Sequence, residues 1–235
     1  MARKPIQQRS KATVEAIVEA GIICVAKRGI EGTTTRHIAA VAGIGIGSLY
    51  EYFENKEEIY QVMADRMVED VVNAVRGKLP DLLTLTIRDA VRVILLATGE
   101  LLQANDRRYL RCTRFVLQAG IKMEIQPLKE LMIEIISRYM VQQPEYLKIK
   151  NLGVMNYIFI HGGMFTLLRY LSEDEPSISY EALMDGLTDM VGHYVEFELA
   201  LLEKQSAIEK QPAIEKQSVT EKPPLSEKPQ ARGDS

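Results

Sequence analysis

The sequence predicts an all-α protein. Apolar residues recur at spacings of three and four through most of residues 1 to 203, which is the pattern of amphipathic helices. No stretch of that region keeps the two-residue alternation of a half-buried strand. Turn-forming residues such as Gly120, Pro144 and Pro176 separate the apolar stretches. We therefore expect a series of helices joined by short turns.

Two helices are expected before residue 43. Ser10 is a candidate N-cap for the first helix, and Gly29 would end it. Thr33 is a candidate N-cap for the second helix, which runs to about Val41. Gly43 supplies the turn that follows, because glycine accepts the left-handed backbone conformation.

The third and fourth helices come directly after that turn. A short helix is expected from Gly45 through Tyr52. Asn55 and Glu58 have the spacing of a capping box, in which the two residues satisfy free amides at a helix start. The fourth helix should therefore begin behind Asn55, and its apolar spacing continues to about Leu79.

The rest of the helical region divides into five further stretches. Their boundaries follow from turn residues and from changes in the apolar spacing. The expected helices cover residues 86 to 104, 106 to 122, 127 to 142, 147 to 172 and 178 to 202.

A six-residue repeat that begins with Glu-Lys occupies residues 203 to 235. Six residues turn about 600° around an α-helix, so successive Glu-Lys pairs would not share a face. Prolines such as Pro212 and Pro223 also lack the amide hydrogen that a helix needs. The repeat predicts a disordered tail, and a partner-binding arm is the alternative.

Charge is distributed unevenly along the chain. The whole sequence has a formal net charge of −3, which on its own disfavours a nucleic-acid partner. Residues 1 to 50, however, contain seven Lys or Arg and three Glu. The basic residues that could contact phosphate are therefore concentrated at the N-terminus.

Several classes of protein are disfavoured by features that the sequence lacks. Cys24 and Cys112 stand alone in apolar stretches, so we expect neither a disulfide framework nor a metal site. No apolar run approaches the ~18 residues of a spanning helix, and the first residues lack the apolar stretch of a signal peptide. No nucleophile motif or phosphate-binding glycine loop occurs. We expect a cytoplasmic protein that is not an enzyme and holds no cofactor.

Residues 32 to 56 have the spacing of a helix-turn-helix. Small and apolar residues occur where two short helices must cross closely, and polar residues occupy the remaining positions. In such a motif the helix after the turn enters the major groove of DNA. The residues that would form its core are Ile38, Ala39, Ala42, Ile44, Leu49 and Phe53.

The same segment resembles the TetR family of transcriptional regulators. The likeness covers about residues 10 to 60, and the motif proper covers about residues 34 to 53. The positions that fit the family signature are Gly29, Thr33, Thr34, Ile38, Ala39, Ala42, Gly43, Ile44, Gly47, Leu49, Tyr50, Tyr52, Phe53, Lys56 and Glu57.

The resemblance implies a set of DNA-contacting residues. Gly45 departs from the family, which commonly has Ser or Thr there, so one hydroxyl contact is missing. For Tyr50 and Tyr52 the alternative is a purely structural aromatic, and for Arg36 it is a solvated surface residue. The expected DNA contacts are Thr33, Thr35, Arg36, Gly45, Ile46, Gly47, Ser48, Tyr50, Tyr52 and Lys56.

The resemblance also implies that the later helices form a homodimer. The helices over residues 147 to 172 and 178 to 202 would pack on a second copy as a four-helix bundle. An intramolecular core is the alternative explanation for the same apolar residues. The expected interface residues are Ile158, Gly162, Phe165, Leu183, Leu187, Met190, Val191 and Tyr194.

A small-molecule effector is the second implication for these helices. The alternative is that methionines at helical spacing fill the core and that arginines such as Arg111 lie on a solvated face. The expected ligand-binding residues are Met67, Tyr109, Arg111, Cys112, Phe115, Met155, Phe159 and Met164.

The sequence therefore predicts three regions and one principal function. Residues 1 to 56 would form a DNA-binding domain, residues 57 to 202 an effector-binding and dimerisation domain, and residues 203 to 235 a tail. The expected function is a repressor that a small apolar or amphipathic ligand releases from an operator in double-stranded DNA. A regulator controlled by a protein partner or by no effector is one alternative, and a helical enzyme or scaffold is another.

Overall fold

The computed structural model describes the backbone of residues 4 to 210 and the side chains of residues 10 to 208. No strand occurs in this part of the chain, which confirms the all-α prediction. A short 3-10 helix, Pro144–Lys148, precedes α8. The α-helices are α1 (Lys4–Arg28), α2 (Thr35–Ala42), α3 (Ile46–Tyr50), α4 (Lys56–Arg76), α5 (Leu79–Leu82), α6 (Ile87–Gln118), α7 (Gln126–Gln142), α8 (Leu152–Ser172) and α9 (Tyr180–Lys210).

Helix α2 is capped by Thr34, one residue after the predicted cap. The Thr34 hydroxyl accepts a hydrogen bond from the His37 amide at 3.2 Å. Thr33 is fully buried, and its hydroxyl donates to the Gly29 carbonyl at 2.7 Å. The cap prediction at Thr33 is therefore wrong, because the buried carbonyl at the end of α1 takes that hydroxyl.

The start of α4 confirms the predicted cap at Asn55. The Asn55 side-chain oxygen accepts from the Glu58 amide at 2.8 Å, and the Glu58 carboxylate accepts from the Glu54 amide at 2.8 Å. Helix α3 begins after Gly45, which supplies no side-chain cap, and it ends at Tyr50, two residues before the predicted end.

The first apolar core joins the helix-turn-helix to the body. It contains Ile17 and Val25 of α1, Ile38 of α2, Leu49 of α3 and Met63 of α4. Residues of the second half of α6 lie in the same cluster. The predicted domain boundary at residue 56 therefore does not separate two cores, since α4 and α6 pack directly on α1.

Helix α6 contains a break where the sequence predicted a turn between two helices. Ala104 is extended, and Asn105, Asp106 and Arg107 have left-handed φ angles of 50°, 59° and 57°. Asn and Asp tolerate this conformation better than most residues because their side chains hydrogen-bond locally. The break divides α6 into a first half that lines a cavity and a second half that packs on α1 and α4.

Helix α9 is longer than predicted. It continues to Lys210, whereas the sequence pattern placed its end at residue 202 and a disordered tail from residue 203. The first repeat, residues 203 to 208, consists of Glu, Lys, Gln, Ser, Ala and Ile without proline or glycine, so the helix propagates through it. The predicted tail beyond Lys210 lies outside the described residues.

Candidate DNA-binding surface and ligand cavity

Helix α3 presents a small exposed face that buried residues hold in place. Leu49 is fully buried and Phe53 is 4% exposed, and both belong to the first core together with Ile38 of α2. These contacts fix α3 across α2 and leave the rest of its short surface to solvent. The exposed residues at its start and along it are Gly45, Ile46, Gly47, Ser48 and Tyr50.

The hydroxyl groups of Thr35 and Tyr50 are hydrogen-bonded across this surface, with their oxygens 3.1 Å apart. Thr35 is the first residue of α2, and Tyr50 is the last residue of α3 and is 52% exposed. The bond joins the two helices of the motif on their solvent side. The hydroxyl that accepts in this bond keeps its own hydrogen, which a phosphate oxygen could accept.

Three other predicted contacts differ in how exposed they are. Arg36 is exposed at the first turn of α2. Tyr52 is half-buried and packs on the first core, so part of its side chain has a structural role. Lys56 is half-buried at the first position of α4. The expected phosphate contact of Thr33 is corrected, because its buried hydroxyl is directed to Gly29.

The glycines of this surface divide into two kinds. Gly43 has a φ of +71° at the turn between α2 and α3, a conformation that favours glycine. Gly45 and Gly47 have no such angle, and a Cβ at either position would meet no atom within 4 Å. The fold of this chain alone therefore does not require glycine at 45 or 47.

Val41 is an exposed apolar residue that the sequence analysis did not assign to this surface. It is 50% exposed near the end of α2. Val41 follows the core residue Ile38 by three positions, and residues at this spacing usually share the buried face of a helix. The apolar pattern therefore did not indicate that Val41 faces solvent.

A cavity of about 260 Å³ lies among α4, α6, α7, α8 and α9. Its walls include Val75 of α4, Leu95 of α6, Met132 of α7, Phe159 of α8 and Val191 of α9. Phe159 and Tyr194 of α9 meet edge to face, with ring centroids 5.5 Å apart, and both line the cavity. The space is apolar because aliphatic, aromatic and thioether side chains form most of its wall.

Only a few polar side chains reach this cavity. Thr98 lines it, but its hydroxyl donates to the Ile94 carbonyl at 2.9 Å. Tyr139 also lines it, and its hydroxyl donates to the Leu85 carbonyl. Burial raises the pKa of Tyr139 to about 12, so this group stays a neutral donor at physiological pH. Asn156 of α8 is the side-chain amide among the lining residues.

The predicted ligand-binding residues fall into two groups. Met155, Phe159 and Met164 line the cavity. The other five lie at the junction with the DNA-binding helices, away from the cavity wall. Four of them belong to the second half of α6, which packs on α1 and α4 beyond the break, and the fifth belongs to α4. They are Met67, Tyr109, Arg111, Cys112 and Phe115.

The junction residues have partners within the chain. Tyr109 donates to the Asp70 carboxylate, and Asp70 also accepts from Arg66 at 2.9 Å. Burial followed by the Asp70 hydrogen bond raises the pKa of Tyr109 above its ordinary range. Burial raises the pKa of the Cys112 thiol to about 12, so it is not a thiolate nucleophile at neutral pH. Arg111 pairs with Asp106 at 3.0 Å.

The predicted dimer residues also divide. Ile158, Phe165 and Met190 are 48%, 71% and 46% exposed, and Gly162 is exposed. Leu183 is buried within the chain, so its surface is unavailable to a second copy. The remaining three face the cavity, as Met190 also does, and they are Leu187, Val191 and Tyr194.

The residues that the structure describes contain no group of three His, Cys, Asp or Glu side chains placed to hold a metal ion. None of the described helices is long and apolar enough to cross a membrane.

Comparisons with known proteins agree with this geometry. The model of the family described as bacterial regulatory proteins of the tetR family matches residues 17–63, which contain the helix-turn-helix. An HTH-type transcriptional regulator of Staphylococcus aureus is 29% identical over 99 residues, which are 42% of this chain and 49% of that protein. The chain thus spans about half the length of this curated relative.

Solved structures share the whole architecture. A protein of Mesorhizobium loti assigned to the TetR family superposes with a TM-score of 0.60 at 13% identity, over 82% of this chain and 98% of its own. The regulator FadR of Bacillus subtilis, solved in complex with stearoyl-CoA, gives a TM-score of 0.51 at 17% identity, over 75% of this chain and 96% of its own. At these identities the likeness concerns the fold.

The fold and the exposed α3 surface define a helix-turn-helix protein with an all-helical second domain. Residues 17–63 are similar to the family described as bacterial regulatory proteins of the tetR family, and the fold of the chain resembles that of solved TetR-family proteins.

Proposed function

We propose that the chain is a transcriptional repressor that binds operator DNA as a homodimer in the cytoplasm. The observation that carries this proposal is the exposed face of α3, held by the buried Leu49 and linked to α2 by the Thr35–Tyr50 hydrogen bond. A helix held in this way across a second helix is the arrangement that enters a major groove.

The DNA contacts that we propose are those the structure leaves accessible. Thr35, Tyr50, Tyr52 and Lys56 would contact phosphates, and Arg36 a phosphate or a base edge. The face of α3 has no side chain for a bidentate base contact. Ile46, which is 41% exposed, would therefore read thymine methyl groups, and DNA shape would supply much of the remaining specificity.

Exposed apolar faces of α8 and α9 support the homodimer. Val154, Ile158 and Phe165 of α8 are 59%, 48% and 71% exposed and lie on one side of that helix. Helix α9 also carries exposed apolar residues, Met190 and Phe197, with exposures of 46% and 62%. Exposed apolar residues grouped in this way are typical of a protein interface. Two copies would present two recognition helices to successive major grooves.

The effector that we propose is an apolar or amphipathic molecule with an acyl-like portion. The cavity wall is almost wholly apolar, and such a wall favours hydrocarbon over polar ligands. A structural neighbour, FadR of Bacillus subtilis, was solved with stearoyl-CoA, which is amphipathic. This cavity argues for an effector-controlled regulator over one without an effector.

Helix α4 offers a direct route from the cavity to the DNA. Val75, near its end, lines the cavity, and Lys56, its first residue, belongs to the proposed DNA surface. The nineteen residue steps from Lys56 to Val75 span about 28 Å at 1.5 Å per residue. The second half of α6 also contacts α1 through the Arg108–Glu19 ion pair, whose nitrogen and oxygen atoms are 2.9 Å apart. A ligand that moves these helices would change the spacing of the recognition helices and release the DNA.

A binding assay with DNA from the region beside its own gene tests this proposal. We expect the affinity to fall steeply with salt, because counterions leave the phosphates on binding. Lys56→Ala should weaken binding about fivefold or more and reduce the salt slope. Lys78→Ala, which removes an exposed lysine beyond the other end of α4, is the matched control and should leave binding unchanged. Equal affinities for the two variants would contradict the proposed surface.

A further inference from the structure

The wall of the cavity carries no formal charge. None of the described residues that line it is Asp, Glu, Lys, Arg or His. Tyr146 of the 3-10 helix lines the cavity, but the charged residues Glu145 and Lys148 of the same short helix are not part of the wall. An ionised group that left water for this cavity would therefore lose its hydration without gaining an opposite charge.

Most polar side chains on the wall already have partners in the chain. The hydroxyls of Thr98 and Tyr139 donate to backbone carbonyls. The hydroxyl of Tyr194 donates to the Lys150 carbonyl at 3.2 Å. The hydrogen of each of these three hydroxyls is therefore used within the fold and is not free for a ligand.

Two polar side chains on the wall have no such partner. The amide of Asn156, in the second turn of α8, forms no hydrogen bond with any residue that the structure describes. The hydroxyl of Tyr146 is likewise without a hydrogen-bond partner among residues 10 to 208, and this residue is only 8% exposed. Both groups contain a donor and an acceptor. They are the free hydrogen-bonding side chains of an otherwise apolar wall.

Asn156 stands at a position where the surrounding wall is apolar. It is half-buried, and Met155 and Phe159 of the same helix also line the cavity. An amide that leaves water without gaining a hydrogen bond lowers the stability of a fold. In binding sites, a few polar groups in an apolar pocket fix the orientation of the ligand. A ligand that hydrogen-bonds to Asn156 would recover the lost interaction.

We propose that the part of the effector inside the cavity is uncharged and joins a hydrocarbon chain to one neutral hydrogen-bonding group, such as a hydroxyl, amide or ester, which Asn156 binds. Tyr146 is the second hydrogen-bonding residue. The inference rests on the proposed effector cavity and narrows its ligands from amphipathic molecules in general to neutral ones. A carboxylic acid enters as its protonated form and therefore binds more weakly at neutral pH.

Isothermal titration calorimetry on the full chain with decan-1-ol and decanoic acid tests this selectivity. The two ligands have the same number of carbon atoms, and at pH 8 only the acid is charged. We expect the alcohol to bind at least tenfold more tightly than the acid at this pH, because the wall offers the carboxylate no cation. Equal affinities, or tighter binding of the acid, would overturn the proposal.

The pH dependence of the two affinities is a second test. The titratable residues on the wall are tyrosines, and burial raises the pKa of Tyr139, Tyr146 and Tyr194, so the wall stays neutral between pH 6 and 8. A free carboxylic acid is ionised throughout this range. Its affinity should therefore rise about tenfold for each unit by which the pH falls, while the affinity for decan-1-ol stays constant. An affinity for the acid that does not depend on pH would show that the ionised form is accepted.

Asn156→Leu isolates the contribution of the amide. We expect this variant to bind decan-1-ol about tenfold more weakly, because the ligand hydroxyl loses its partner. Thermal unfolding without ligand should occur at the same or a higher temperature, since a polar group without a partner is removed. Asn73→Leu replaces an exposed asparagine of α4 outside the wall and is the matched control. Unchanged alcohol binding by Asn156→Leu, or weaker binding accompanied by lower stability, would contradict the assigned role.

The failure of this inference differs from the failure of the effector cavity. Gly163 lines the cavity, so Gly163→Leu reports on binding there. If the original chain binds both ligands equally and Gly163→Leu binds neither, the cavity holds the effector and the preference for neutral groups is wrong. If the original chain binds neither ligand, the effector cavity is wrong, and this inference is wrong with it.

Discussion

Thr35 and Tyr50 are joined by a hydrogen bond between hydroxyl oxygens 3.1 Å apart, and this bond connects α2 to α3 on the exposed side of the helix-turn-helix. Either hydroxyl can donate to the other and still present a lone pair or a hydrogen to a third group. The pair therefore combines a structural bond with a surface that can contact phosphate.

A double-mutant cycle on this pair tests its role. We expect Tyr50→Phe and Thr35→Val each to weaken DNA binding about threefold to tenfold, because each removes a hydroxyl from the surface. The double variant should lose less than the product of the two effects, since one shared interaction is removed in both single variants. Fluorescence anisotropy with a labelled operator duplex gives the dissociation constant of each of the three variants relative to that of the original chain. Strictly multiplicative losses would show that the two hydroxyls act separately.

Gly47→Ala should affect stability and DNA binding in opposite directions. Alanine is favoured over glycine inside a helix by about 1 kcal/mol, and a Cβ at position 47 meets no atom within 4 Å. Thermal unfolding should therefore show a small gain in stability. We expect the same variant to weaken DNA binding about tenfold, because the added methyl group separates α3 from the groove.

Gly43→Ala provides the contrast with Gly47→Ala. The φ of +71° at Gly43 strains any residue with a Cβ, so this variant should lose about 1 kcal/mol of stability. A Gly47→Ala variant that is more stable and binds DNA as tightly as the original chain would contradict the close approach of α3.

Filling the cavity should abolish effector binding and leave DNA binding intact. Gly163 lines the cavity, and a Cβ at this position meets no atom within 4 Å, so a larger side chain can project inward. We expect Gly163→Leu to reduce binding of a fluorescent long-chain fatty acid at least tenfold. Gly153→Leu, on the same helix but outside the cavity wall, is the matched control, because a Cβ there also meets no atom within 4 Å. Unchanged probe binding by Gly163→Leu would place the ligand elsewhere.

Stability should decrease above pH 10, with Tyr180 as one contributor. Burial, followed by the nearby Tyr170, raises the pKa of Tyr180 to about 12, and its hydroxyl donates to the Leu95 carbonyl at 3.2 Å. The unfolded chain releases this proton near pH 10, while the folded chain keeps it until about pH 12. The stabilisation is therefore complete below pH 10 and is lost as the pH rises toward 12. Denaturant unfolding between pH 8 and 12 should show a shallower decrease in Tyr180→Phe than in the original chain.

The helix-turn-helix was the part of the fold that the sequence specified most fully. Its glycine at 43, its cap at Asn55 and its apolar spacing each act within a few residues, so local chemistry determines them. Thr33 and Thr34 show the limit of such reasoning. Either hydroxyl could cap α2, and the choice depends on the geometry of the turn after α1, which brings the Gly29 carbonyl within 2.7 Å of the Thr33 hydroxyl.

The body was predicted less well because its contacts join distant residues. The sequence predicted the break after residue 104, but apolar spacing could not show against which helices the second half of α6 packs. Cys112 of α6 and Met67 of α4 lie in the first core with α1 instead of on the cavity wall. In the same way, the spacing of Leu187 and Tyr194 along α9 predicted a dimer interface. The three-dimensional structure shows instead that both residues face the cavity.

Hydrogen exchange of the full chain with and without its operator duplex tests whether the helix-turn-helix binds DNA. The proposal predicts that bound DNA slows amide exchange in residues 34 to 56, where α2, α3 and the start of α4 lie. The exposed residues of α7 should exchange at an unchanged rate. Protection concentrated in α7 or α8, or an absence of protection in residues 34 to 56 when DNA is bound, would contradict the account.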